Sequence, residues 1–254
     1  MQVLVYDGSF AGWLTAVFEV YEYRFTNASI VPEGHRQDSL FTPTHTVYTS
    51  DAKAGRVWRG LQQYLSGRAM KQLSDTFLSE LPGREDQMLE YARYALARKQ
   101  PVEKDFSHRA VKYIADTAQK VHREKHRMEA FVRFQKTKDD LYFATVEPDF
   151  NVLPLIAKHF SDRYADQRWL IYDKKRKYGI CYDLDKVSFV ELDWNPTDTR
   201  AEREAILNEE EFPYQQLWKD YFTSTNIKAR KNTKLHIRHM PVRYWKYLIE
   251  KQPG

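Results

Sequence analysis

The chain has 254 residues, 42% of them hydrophobic and 15% aromatic with only nine glycines, a composition that builds a packed core and excludes disordered and fibrous classes. Its length suits one large domain or two modest ones. Its one cysteine, Cys181, excludes a disulfide framework, a thiolate zinc cluster and an iron-sulfur cluster of the usual thiolate kind, and fits a reducing compartment, while the net charge of +5 hides a steep asymmetry along the chain.

In chain order, an apolar strand over residues 3–6 meets a turn at Asp7, Gly8 and Ser9, and Phe10, Trp13, Leu14, Val17, Phe18 and Tyr21 then recur at helical spacing. Asp7, Glu19 and Glu22 interrupt this stretch before a signal or membrane span is complete, which points to a cytoplasmic protein without a membrane partner. A loop rich in Pro, Ser and Thr follows, and the alternation in THTVYT, residues 44–49, predicts a second strand reached by a crossover long enough for parallel pairing. Asp51 then caps a run of helices that stop at Ser66 and Gly67, at Pro82 and Gly83, and at Gln100 and Pro101, with Ser107 as N-cap of the last. That last helix, residues 108–128, gathers Val111, Ile114, Ala115, Ala118, Val121 and Met128 on one stripe, so its basic face points elsewhere.

The pattern changes at Ala130. FVRFQ and LYFATVE flank Lys138, Asp139 and Asp140, and WLIYD and YGICYD flank the basic turn KKRK, which predicts two antiparallel hairpins. Cys181 reads as a buried bystander in one of these strands. Between the hairpins Val152, Leu153, Leu155, Ile156, Phe160 and Tyr164 make a helix, and VSFVEL adds a strand, giving the order ββαβββ. A helix over residues 213–222 and a final helix begun by Pro241 complete the chain. The expected fold class is α+β. Residues 1–104 form a strand-helix unit with a helical bundle, and residues 105–254 form an antiparallel sheet with flanking helices and a basic C-terminal segment.

Residues 183–212 hold ten acids against three bases, and residues 213–254 hold nine bases against two acids, so the basic excess belongs to the last sixth of the chain. Its centre is NIKARKNTKLHIRHMPVRYWK, residues 226–246, where cations interleave with Asn, Tyr and Trp. Cations neutralise phosphates and release counterions, and the interleaved groups add hydrogen bonds or stacking, so the segment suits an anionic polymer. The alternative is a self-masked tail, neutralised by the acids just before it, in a protein-interaction module. If Pro241 opens an α-helix, Trp245 joins Leu248 and Ile249 on the buried stripe, and Tyr244 stands apart with Tyr247 and Lys251, placed to stack on a base.

Two further clusters carry chemistry. In VHREKHRMEAFVRF, His122 and His126 share a helix face, but Glu124 stands where no zincin motif puts it, which leaves the pair to a nucleic-acid or partner surface. Arg123 and Arg127, also four apart, either clamp a phosphate or are solvated. In TVEPDFNVLPLIAKHF, Asp149 is most simply a helix cap, while Glu147 and His159 are candidates for acid/base work, together with Asp173 at the basic turn, where Asp173 and Arg176 read as a solvated turn.

YDGSF with WLTAVFEVY, VHREKHRMEAFVRF, EPDFNVLPLIAKHF, WLIYDKKRKYG and NIKARKNTKLHIRHMPVRYWKYL together resemble a bacterial family described as probable DNA metabolism or repair proteins, over nearly the whole chain. In that family the second half is a recurring domain of undefined function, found also fused to a uracil-DNA glycosylase-like domain, and the full-length form is associated with a radical S-adenosylmethionine protein thought to act in DNA repair. The resemblance implies DNA as ligand, a radical S-adenosylmethionine or uracil-DNA glycosylase-like partner, and no cofactor of its own. It falls on His122, Arg123, His126, Arg127, Glu147, Pro148, His159, Asp173, Arg230, Asn232, Lys234, His239, Pro241, Arg243, Tyr244 and Trp245. Of these, His122, Arg123, His126, Arg127, Arg230, Asn232, Lys234, His239, Arg243 and Tyr244, with Arg238 from the basic segment, are the candidate nucleic-acid contacts. The expected function is DNA binding in repair or DNA metabolism, with a nuclease or glycosylase-like hydrolase using Glu147, His159 or Asp173 as the alternative.

Overall fold

The computed structural model describes residues 1–35, 43–191, 207, 208, 211, 213–217, 237 and 239–251. The fold is α+β, in two compact units, Met1–His122 and Arg123–Gly254. The sequence boundary near Asp105 lies in the loop before the helix in which the units divide. No described helix is long and apolar enough to cross a membrane.

In the first unit β1 (Gln2–Tyr6) feeds α1 (Phe10–Glu22), whose N-cap Ser9 accepts from the Gly12 amide. The strand pairs in parallel with β2 (Ala28–Pro32) on one side and β3 (Thr44–Thr46) on the other. The parallel pairing of β3 agrees with the sequence. The strand β2 does not, since ASIVP lay in a stretch read as loop; Asp86 secures it by accepting from the Ile30 amide at 2.9 Å and the Ser29 hydroxyl at 2.8 Å. Helices α2 (Asp51–Gln62), α3 (Gly67–Phe77) and α4 (Arg84–Arg98) follow. The cap of α2 is Ser50, one residue before the expected Asp51, which instead opens the first turn and complements the helix dipole. Trp13, fully buried, stacks on Phe10 and centres the core of this unit.

Helix α5 (Arg109–Phe131) is 23 residues long, about 35 Å at 1.5 Å per residue. Its first turn begins at His108, whose carbonyl accepts from the Lys112 amide, while the Ser107 hydroxyl, expected as the cap, turns to Asp105. Ala110, Val111, Ile114, Ala118, Val121 and Met128 are buried along one side, as the spacing requires.

The second unit carries a sheet in the order β4-β5-β6-β7-β8, formed by β4 (Gln135–Lys136), β5 (Tyr142–Val146), β6 (Trp169–Asp173), β7 (Tyr178–Tyr182) and β8 (Val187–Glu191). Both expected hairpins are present, and α6 (Leu153–Arg163) falls between them. One pair departs from a wholly antiparallel sheet. β5 and β6 run parallel, because the chain crosses back through α6 before pairing. Trp169, Ile171, Ile180 and Ala144 alternate onto the buried face together with Ile156 and Phe160 of the core. Cys181 is only half-buried, on the opposite face from Ile180.

Candidate functional site

In the second unit the packed side of α5 ends in a carboxylate. Glu124 is 1% exposed, and its Oε1 accepts from the Asp149 amide at 2.8 Å and from the Tyr244 hydroxyl. Its Oε2 accepts from Arg243 Nη2 at 3.2 Å and Arg127 Nη1 at 3.4 Å. Four donors from three chain segments satisfy one buried acid, the condition on which such a charge can be buried at all.

The turn between β5 and α6 is the second component. Glu147 accepts from Lys246 Nζ at 2.5 Å and from the Tyr247 hydroxyl at 2.6 Å, and these bonds hold its carboxyl below the usual range. Asp149 does not cap α6, which begins after Val152 with no side-chain cap; its Oδ2 instead meets Arg243 Nη2 at 2.6 Å. The Asp149 carbonyl accepts from Lys175 Nζ at 3.2 Å and Arg176 Nη2 at 3.1 Å, and the Pro148 carbonyl accepts from Arg176 Nη1 at 3.1 Å.

The basic turn KKRK is therefore no solvated loop. Asp173 is fully buried, accepts from the Lys175 and Arg176 amides, and pairs with Arg176 Nη1 at 2.8 Å. Burial pushes its carboxyl up, opposed by Arg176. The reason for the departure is that register places Asp173 opposite Val146, beside the very turn whose carbonyls need donors. His159 stands elsewhere, half-exposed on α6 and 3.9 Å from Glu129, which also pairs with Lys125 and His126 at 3.0 Å. Glu147, His159 and Asp173 thus each have their own partners, and no described contact joins them.

The third component is the C-terminal segment. Val242–Tyr247 is a 3-10 helix that follows Pro241, not the expected α-helix. With three residues per turn, Tyr244 and Tyr247 eclipse one another on one side. This reverses the expected roles. Tyr244 is 2% exposed against Phe131 and Glu124, while Trp245 is half-buried, its Nε1 donating to the Met240 carbonyl and its ring under Lys251. Burial and the Glu124 carboxylate push the Tyr244 phenol up. The Arg243 guanidinium lies 4.5 Å over the Tyr244 ring, and Arg133 anchors Glu250 at 2.9 Å. Met128, Phe131, Val146, Glu147, Tyr244 and Tyr247 line a small crevice under this segment.

A comparison with protein families matches residues 82–250 to a domain of unknown function, DUF4130, a span that holds every residue of this network. The chain belongs to the DUF4130 family. No curated protein matches it.

Of the sequence candidates in the DUF4130 region, the structure brings Arg127, Arg243 and Tyr244 together on Glu124. Arg123, His122 and His126 are exposed on α5, and His239 is exposed before the 3-10 helix. Arg230, Asn232, Lys234 and Arg238 lie outside the described residues. Sequence reasoning missed Glu124 as the hub and Lys175 and Arg176 as donors to the neighbouring turn. It also left unnamed the outward cations of α5 that precede Arg123. Arg109, Lys112 and Lys120 recur with Asp116 at spacings of three and four, all exposed, and these three cations form no ion pair with a described acid. The same periodicity that located the apolar stripe contains this signal.

Proposed function

We infer that the chain binds nucleic acid, foremost DNA, in DNA repair or DNA metabolism, as accessory to a radical S-adenosylmethionine partner. The observation that supports this reading is the outward face of α5 within the first unit, where Arg109, Lys112 and Lys120 stand exposed in a line interrupted by a single acid, Asp116. A row of cations on one helix, unpaired with any described acid, suits a regular polyanion, each phosphate contact releasing counterions. The DNA class and the partner follow from the resemblance that the sequence carries, and the +7 balance of residues 213–254 adds to the same electrostatic attraction.

The test is DNA binding as a function of salt. The wild-type chain is expected to bind an oligonucleotide at low salt and release it steeply as salt rises. Replacing Arg109, Lys112 and Lys120 together by Gln is expected to lower the log-log slope by about 2, at about 0.7–0.9 per phosphate contact. Exposed positions of this kind leave stability within about 0.5 kcal/mol each, so the melting temperature stays close to wild type. A wild-type chain that ignores DNA at low salt ends the reading, and an unchanged slope in the variant moves binding off this helix. Incubated alone, the chain is expected to leave uracil-containing, nicked and intact DNA chemically unchanged.

A further inference from the structure

A second cationic surface exists in this protein, and its own acids occupy it. Around the turn at residues 147–149, Arg243 from the C-terminal segment and Lys175 and Arg176 from the basic hairpin all reach one residue, Asp149. Two of the three already have buried counterions. Arg176 is paired with Asp173, which is fully buried, and Arg243 is held from behind by Glu124, which is 1% exposed. Lys175 is exposed, and among the described residues its ammonium reaches a carbonyl oxygen of the turn. Among the described residues the Asp149 carboxylate is the surface anion paired with Arg243.

We propose that this group is a phosphate-binding site for the nucleic-acid backbone, closed by Asp149, whose carboxylate holds the place of a phosphate oxygen on Arg243. The pair lends itself to exchange. Its side chains are 41% and 50% exposed, and an ion pair so exposed is weak and screened by salt. The guanidinium behind it is not mobile to the same degree, because Glu124 and the Tyr244 ring fix it from the interior. A phosphodiester has two non-bridging oxygens that share one negative charge, enough to take one hydrogen bond from Arg243 and one from Lys175, where among the described residues Asp149 offers its carboxylate to Arg243. The contacts that keep the turn in place are main-chain ones. The Asp149 amide donates to Glu124 and its carbonyl accepts from Lys175 and Arg176, so the side chain can swing out while the loop stays folded.

This inference rests on the nucleic-acid reading above, and the experiment separates the two. Asp149→Asn removes the blocking charge and preserves every main-chain contact. It is expected to raise oligonucleotide affinity at low salt about 3- to 10-fold and to steepen the log-log salt slope by about 0.7–0.9, the increment of one further phosphate. Adding Lys175→Ala in that background is expected to reverse much of the gain. Lys175→Ala in the wild-type chain is expected to change affinity and slope by less than it does in the Asp149→Asn background, because the site is closed, and this variant reads out whether or not Asp149→Asn folds. Wild-type binding left unaltered by Asp149→Asn overturns the proposal and spares the helix reading. A loss of one phosphate's slope from Lys175→Ala alone also overturns it, since the site would already be open. Binding that appears only in Asp149→Asn upholds this site and ends the helix reading, and binding by neither protein ends both.

Discussion

Tyr244→Ala is expected to cost about 3–5 kcal/mol of folding stability, the range for truncating a large buried aromatic. The ring is 2% exposed and packs on Phe131, and its hydroxyl donates to Glu124, so the substitution leaves a cavity and takes one of the four donors from a buried carboxylate. Tyr244→Phe separates these contributions. It retains the ring and removes the hydrogen bond donated to Glu124 and the one accepted from Arg243 Nη2 at 2.6 Å, an expected loss of about 1.5–3 kcal/mol. Trp245→Ala, by contrast, removes a half-buried ring with one hydrogen bond to the Met240 carbonyl and one cation above it, and is expected to cost about 1–2 kcal/mol. Denaturant unfolding of the three variants gives the order directly. Trp245→Ala as the most damaging of the three would mean that the C-terminal segment faces the other way.

That order is the opposite of what the sequence suggests, and the reason is one of geometry. For residues 241–251 α-helical periodicity, 100° per residue, groups Trp245 with Leu248 and Ile249. The segment winds as a 3-10 helix, so Tyr244 aligns with Tyr247, and both hydroxyls reach acids from other parts of the chain, Glu124 and Glu147. Local pattern carried further where a regular element buries one face. β1, α1, the apolar stripe of α5, both hairpins and α6 were all legible for that reason. It failed at β2, where Ser29 and Pro32 disguise a strand held by Asp86 from a distant helix.

The candidate site was legible in its parts and not in its assembly. VHREKH, EPDF, KKRK and the residues 241–247 each stood out by charge, but a charged turn and a buried ion pair look alike in sequence. Asp173 is sealed because its strand pairs beside β5, and Asp149 faces Arg243 because two segments nearly 100 residues apart meet at Glu124. Those are consequences of non-local pairing, for which residue type alone contains no signal.

Glu124 is the residue on which the assembly turns, and Glu124→Ala is expected to cost about 3 kcal/mol or more. Removing one member of a buried charge network strands the others, a loss of about 3–5 kcal/mol, and here Arg127 and Arg243, with side chains 29% and 41% exposed, recover part of it from solvent. The Asp149 amide and the Tyr244 hydroxyl add two orphaned donors. Glu124→Gln keeps the shape and one acceptor oxygen but turns an amide donor toward the arginines, so it is expected to lie between wild type and alanine. The decisive measurement is a double-mutant cycle of Glu124→Gln with Tyr244→Phe. If the phenol and the carboxylate act as one unit, the paired variant loses less than the two single losses combined, by about 1–2 kcal/mol, since the second substitution removes a bond already weakened. Strict additivity would mean that the Tyr244 hydroxyl contributes nothing through Glu124, and that the ring alone holds the C-terminal segment in place.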